Sequence, residues 1–427
     1  MRERFLIALA VTGGAYAIAF VSPAWTPSTK RQISQGRGSL NAQTLTLDVA
    51  SYMIPHPDKA AKGGEDAFFV LDHDMGVFDG VGGWSALGYD AGVFTRGFAE
   101  AVAANVTAQR LEGEATVRRS RDEGRGTPRL AKGVDLQQAL EYATRHAPGK
   151  GTCTACVVTF DPYYGMLNGL NIGDSGALLV RRDARGTPFI ALKTSSQRHK
   201  FNQPFQLGTG SRDTAQDAKP FLFYVREGDM VVLATDGVLD NMYDDDIIRC
   251  VVEVSDRGLG TTPPTLSGED PLRPAELAST LAQRAYDLSL DKEILTPWEE
   301  EAVAAGIVPS RDQLSESPGS ASGGWPGLKW DVSQWGLALG RAVSSGMKSV
   351  RLGGVNEEVD TDDSRESKMS EEDVLVFRGG KMDDITVVVA AVKREGGPTA
   401  VNGDAGGSGL AATDGAETHA GVDARNR

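Results

Sequence analysis

From Leu45 onward the chain alternates short apolar runs with turn residues. "LTLDVASYMI", "DAFFVLD" and "MGVFDG" are each bounded by Gly, Asp or Pro and predict three strands. Leu87, Ala91, Phe94 and Phe98, with Val102 beyond them, repeat at helical spacing and predict a long amphipathic helix after a glycine turn. Residues 112–133 are charged, Gly-bearing and aperiodic; they predict an inserted loop, with helix resuming from Asp135. Strand-like runs follow in succession: "TCTACVVTFD", "GMLNGLNIG", "GALLVRRD", "PFIALK", "FLFYV" and "DMVVLATDG". A further helix is expected from Pro274, with Leu277, Leu281, Ala285 and Leu288 on one face, and a last strand in "DDITVVVAAVK". Runs of strands beside separate helices exclude an all-helical protein and a regular βαβ alternation, and they predict an α+β architecture.

Three segments lack this patterning. Residues 1–44 open with Arg2, Glu3 and Arg4, then "FLIALAVTGGAYAIAFV", which suits a signal-peptide core with cleavage after Ala19. A Ser/Thr-bearing stretch with Lys30, Arg31 and Arg37 follows, with no acid before Asp48; this is transit-peptide chemistry. The combination, with Phe20 at the junction, resembles the bipartite plastid presequences of algae with complex plastids. A mitochondrial presequence and plain secretion or an uncleaved anchor are the alternatives. Residues 307–372 have linker composition but contain Trp325, Trp330 and Trp335, so part of them is expected to dock on the domain or a partner. Residues 394–427 are Gly/Ala-rich and predict a disordered tail, which leaves a catalytic domain over 45–393.

With 427 residues, 40% of them hydrophobic, the chain can bury a sizeable core. The net charge of −14 leaves no basic surplus for nucleic acid. It also means that a phosphorylated substrate needs local positive charge from a metal or a few Lys/Arg. Three cysteines cannot form a disulfide framework. Cys153 and Cys156 form a C-x-x-C, but residues three apart on a strand face opposite ways, so core packing is expected rather than redox or zinc chemistry.

The chemistry is concentrated in carboxylates at strand ends. "GVFDGVGGW" puts Asp79 after an apolar run and before Gly80. "LNIGDSGALLV" places Asp174, "VVLATDGVLDNM" places Asp236 with Asp240 one turn on, and "GGKMDDITVVV" places Asp383 and Asp384. "GGEDAFFV" adds Glu65 and Asp66. Each Asp-Gly alone is an ordinary turn former. Together, such acids make sense if they converge on hard divalent cations such as Mg²⁺ or Mn²⁺, because a buried unpaired carboxylate costs several kcal/mol. In this reading Gly80 clears the approach of the metal to Asp79.

The series "GGEDAFFV … VFDGVGGW … GTCTACVV … LNIGDSGALLVRR … LATDGVLDNM … KMDDITVVV" resembles the metal-dependent serine/threonine phosphatases of the type 2C class. "DGVGGW", "FNQPFQLG" and "LDKEILTPWEEEA" resemble its organellar branch, related to the mitochondrial member with a T-cell-activation name. The resemblance implies a four-layer αββα sandwich with two central antiparallel sheets and a binuclear Mg²⁺/Mn²⁺ centre at one end. Asp79 would bridge both metals, the Gly80 carbonyl would bind one, and Asp236 and Asp383 would hold the other. Glu65 and Asp66 would act through metal-bound waters. Asp174, with Asp240, would suit a weaker third position. A water ionised between the metals would attack phosphorus without a phosphoenzyme.

Two departures from the family pattern stand out. Val81 occupies the place of a histidine proposed to protonate the leaving alcohol. No arginine precedes the Glu-Asp pair, and of the nearest cations, Lys59 and Lys62, Lys62 is the candidate phosphate ligand. His199, flanked by Arg198 and Lys200, is a second candidate for meeting an anionic substrate, against an ordinary surface loop; His73 is expected in a hairpin turn. The expected function is protein phosphoserine/phosphothreonine hydrolysis by a monomer acting on phosphorylated proteins. A catalytically silent phosphoprotein binder on the same fold, or a phosphatase of a small metabolite, is the alternative.

Overall fold

A computed structural model describes residues 8–12, 15–19, 44–122, 133–257, 273–311 and 377–394. The presequence expectation therefore falls outside the described residues, apart from Ala8–Thr12 and Ala15–Ala19, which pair as antiparallel strands. The three insert tryptophans and the expected tail also lie outside them.

The alternating runs become two five-stranded antiparallel sheets. β1 (Leu45–Ile54), β2 (Ala67–Val70) and β3 (Asp74–Phe78) come first, followed by α1 (Ala91–Asp122) and α2 (Leu136–His146). Next come β4 (Ala155–Asp161), β5 (Met166–Ile172), β6 (Gly176–Arg182), β7 (Pro188–Lys193), β8 (Lys219–Tyr224) and β9 (Met230–Ala234). α3 (Asp244–Arg257), α4 (Pro274–Leu290), α5 (Pro297–Ala304) and β10 (Ile385–Arg394) complete the domain. One sheet has the order β7-β6-β9-β10-β1, the other β8-β5-β4-β3-β2.

Period-two patterning decides the layers, since alternate residues of a strand face opposite sides. Met75, Val77, Cys156, Val158, Leu179, Leu233 and Val388 come from both sheets and form the dry interior between them. The opposite face of one sheet, through Phe78 and Val157, takes Phe94 and Phe98 of α1 and Leu140 of α2. The outer face of the other, through Leu178, Val232 and Val387, takes Val251 of α3 and Leu281 of α4. The result is the αββα sandwich. Cys153 and Cys156 fall in different clusters and are free and buried, as opposite-facing residues must be.

Three expectations need correction. Helix α1 begins at Ala91, and Leu87 instead ends a preceding 3-10 turn with 66% of its surface exposed. The same helix continues to Asp122, through half of the stretch expected as a loop. Its extension is charged all round and carries an Arg118–Glu114 pair one turn apart, so it lacks the apolar stripe that periodicity detects. The expected insert also begins too early: Val308 is buried, packing with Ala302, and Arg311 is bonded to Glu299 of α5.

Candidate metal centre

The acids gather at one end of the sandwich, each delivered by the end of an element. Asp79 follows β3, Asp174 stands between β5 and β6, and Asp236 opens a one-turn helix after β9. Carboxylate oxygens of these three buried residues lie within 4.8 Å of one another. Asp66, just before β2, accepts from the Thr235 hydroxyl (2.9 Å), which places it beside Asp236. Asp383, just before β10, shares the Lys381 ammonium with Asp236 and Asp240. Glu65 shares the Lys59 ammonium with Asp383 and Asp384. Glu65, Asp66, Asp79, Asp174, Asp236, Asp240, Asp383 and Asp384 make eight buried carboxylates.

The glycines beside these acids have a packing role. A Cβ on Gly80 would stand 2.4 Å from Thr95 Oγ1 and 2.5 Å from the Glu65 carbonyl. One on Gly237 would stand 2.0 Å from the Asp384 carbonyl. Gly64, at φ +79°, would direct a Cβ to 2.6 Å from Asp384 Oδ1. The missing side chains therefore let the acid-bearing segments approach one another.

Electrostatics follow from this crowding. Burial, and then the charges of Asp384 and Asp383, push the Asp66 carboxyl well above the usual range. Burial, and then Asp236, raise Asp174 to about 6 against the opposing pull of Arg198. Burial would also raise Asp240, yet Lys381 and Arg198 hold it below the ordinary value. Burial disfavours the Lys59 ammonium, but Asp383, Asp384 and Glu65 outweigh it and keep the group charged.

The donor set fits divalent cations. Asp66 Oδ1 and Asp174 Oδ1 are buried and accept no hydrogen bond, a cost that an inner cation removes. The cluster is all oxygen, with neither histidine nor cysteine ligand, which suits Mg²⁺ or Mn²⁺ over softer ions.

Neither candidate substrate ligand is brought to the acids. Lys62 is 72% exposed, with its ammonium 3.9 Å from Asp90. It is Lys59, one turn earlier, that enters the cluster. His199 bonds Asp213 (2.9 Å) and stacks on Phe205, with ring centroids 3.9 Å apart. Its neighbour Arg198 faces inward and bonds Asp174 and Asp240. Sequence reasoning missed Lys381, although it stands two residues before Asp383 in the quoted motif. His73 does lie in the β2–β3 turn.

Two antiparallel sheets between helical layers, closed at one end by buried carboxylates fitted to hard cations, define a metalloprotein of the αββα class. The chain belongs to the protein phosphatase 2C family. It is 30% identical over 256 residues to the protein phosphatase PTC7 homolog of Danio rerio, covering 57% of this chain and 75% of that one. Probable protein phosphatase 2C 80 of Arabidopsis thaliana is 33% identical over 267 residues, 62% of this chain and 55% of its own. The chain thus spans about half the length of the first curated relatives it matches. Among solved structures, the photosystem II phosphatase PBCP shares the fold with a TM-score of 0.53 and 24% identity, over 81% of this chain and 99% of that one. A scan against protein-family models returns no match.

Proposed function

We propose that this chain is a metal-dependent protein phosphatase that hydrolyses phosphoserine and phosphothreonine in phosphorylated proteins. The observation that carries the reading is the convergence of Asp79, Asp174 and Asp236 within 4.8 Å. A pair of bound Mg²⁺ or Mn²⁺ ions supplies Lewis-acid activation of water and offsets charge on the phosphoryl oxygens. Asp79, Asp236 and Asp383 are assigned to hold the ions, with the Gly80 carbonyl, Glu65, Asp66 and Asp174 around them. Lys59 and Lys381 fix the carboxylates they bridge. Lys62 and His199, both exposed, are assigned to the polypeptide flanking the phosphorylated residue.

The full chain is assayed on a phosphothreonine peptide with Mn²⁺, Mg²⁺ or EDTA. Turnover is expected only with metal, and Asp79→Asn or Asp236→Asn is expected to lower it by about a hundredfold or more. Metal-bound protein that binds the phosphopeptide without turnover would establish the silent binder instead, and activity surviving EDTA would refute the centre.

The organellar branch is supported by "DGVGGW", "FNQPFQLG" and "LDKEILTPWEEEA", and a plastid destination, with the mitochondrion as alternative, by the composition of residues 1–44. A fluorescent reporter carrying those residues is expected in the plastid; cytosolic fluorescence rules out every presequence reading. We further propose that the protein is a monomer and that the tryptophans of the insert engage a docking partner.

A further inference from the structure

The corner bounded by Asp174 and Asp240, which the family resemblance marks as a third metal position, already holds organic cations. Arg198 Nε lies 3.1 Å from Asp174 Oδ2 and its Nη2 2.9 Å from Asp240 Oδ1, while Nη1 pairs with Glu301 of α5. The other oxygen of Asp240 is 2.8 Å from Lys381 Nζ. Both oxygens of Asp240 are therefore hydrogen-bonded to cations of the chain, whereas the ammonium contacts of Asp383 are looser, at 3.2 and 3.7 Å. We infer that this corner takes no metal ion, and that the centre saturates at two divalent ions because Arg198 fills the place of a third. The inference rests on the metal-dependent reading above.

Arg198 is built into this position. The preceding residue, Gln197, is buried, and its N–H donates to the Gly173 carbonyl (2.8 Å), directly before Asp174. The Gln197 carbonyl accepts from Phe205 N–H (3.0 Å), closing a ribbon in which Arg198 pairs with Pro204. The guanidinium side chain is only 14% exposed. Lys381 is fixed as firmly: the Asn241 side chain accepts from its N–H (2.8 Å) and donates to its carbonyl (2.7 Å), and its ammonium sits 4.9 Å from the Trp298 ring centroid. A small hard ion demands oxygen lone pairs aimed at it in near-ideal geometry. At Asp240 it would have to displace two charge-assisted bonds and lie against a guanidinium.

The test is metal stoichiometry, read on the full chain by equilibrium dialysis against Mn²⁺ and elemental mass spectrometry. Wild type is expected to saturate at two ions, Arg198→Ala at three, and Arg198→Ala/Asp240→Asn at two again. Arg198→Lys keeps a cation in the corner and is expected to stay at two, which covers the case in which the alanine variant does not fold. Three ions in wild type, or two in a folded Arg198→Ala, would overturn the inference and leave the two-metal reading standing. An added ion in Arg198→Lys would overturn it equally. Wild type that binds no Mn²⁺ would overturn both.

Discussion

Single residues decide how closely the acids can gather. Gly237 sits where any Cβ would strike the Asp384 carbonyl at 2.0 Å, backbone that has no rotamer in which to retreat. Gly237→Ala is therefore expected to cost about 3 kcal/mol, the scale of an overpacked core, and to weaken Mn²⁺ binding by moving Asp236. Urea unfolding and metal titration check the two effects, and an alanine variant of wild-type stability would refute the packing argument. The acids themselves were legible in the sequence because each stands beside an apolar run, at one end or the other. Their resident cations were not. Arg198 lies in a basic stretch, and nothing in the spacing of "QRHKFNQPFQ" shows that the arginine turns inward and the histidine outward. Lys59 and Lys62 are alike on the page; only the turn over residues 57–62 puts the first among the acids and the second in solvent.

Among elements, helix α5 joins the metal centre to the chain on either side of the long insert. Glu299, fully buried, accepts from Arg311 (2.6 Å), Arg378 (2.5 Å) and the Gly379 N–H (2.8 Å). Burial opposes its charge, but these three donors outweigh it and hold the carboxyl down to about 2. The folded value lies below the ordinary 4.5. The stabilisation is therefore complete above about pH 4.5 and drains away as the pH falls toward 2. Glu299→Gln is expected to lose about 3 kcal/mol at neutral pH, as when one member of a buried ion pair is removed. It should also unfold with a flatter acid limb, measured by thermal melts from pH 7 to pH 3. An unchanged acid limb would show that the clamp contributes nothing. The strands stood out as apolar runs because the central ones are buried on both faces, and α4 as a periodic stripe because it buries one. Periodicity failed on residues 112–122, where helix is held by local propensity and charge pairs, and on residues 307–311, where two apolar contacts and one arginine suffice to dock a segment of linker composition.

At the scale of the whole molecule, Arg311 and Arg378 meet on one carboxylate, so the two ends of the insert lie close together although residues 312–376 separate them in sequence. Replacing 312–376 with a short Gly/Ser linker is expected to raise the melting temperature by a few degrees, since shortening the loop about eightfold lowers its closure cost by about 2 kcal/mol. A variant that fails to fold would show that the insert belongs to the core. The α+β class was readable in the run of strands and the layer order came only with the family resemblance, while the pairing of first strand with last was not legible, because register between distant segments leaves no local signature.

That pairing has a consequence during synthesis. β10 lies between β9 and β1, an interior position of its sheet. Until residue 394 clears the ribosome, two strands wait with bare edges and the hydrophobic seam they should cover stays open. The nascent polypeptide cannot lock before its final stretch emerges, and through most of translation it remains a client that chaperones can hold or pass on.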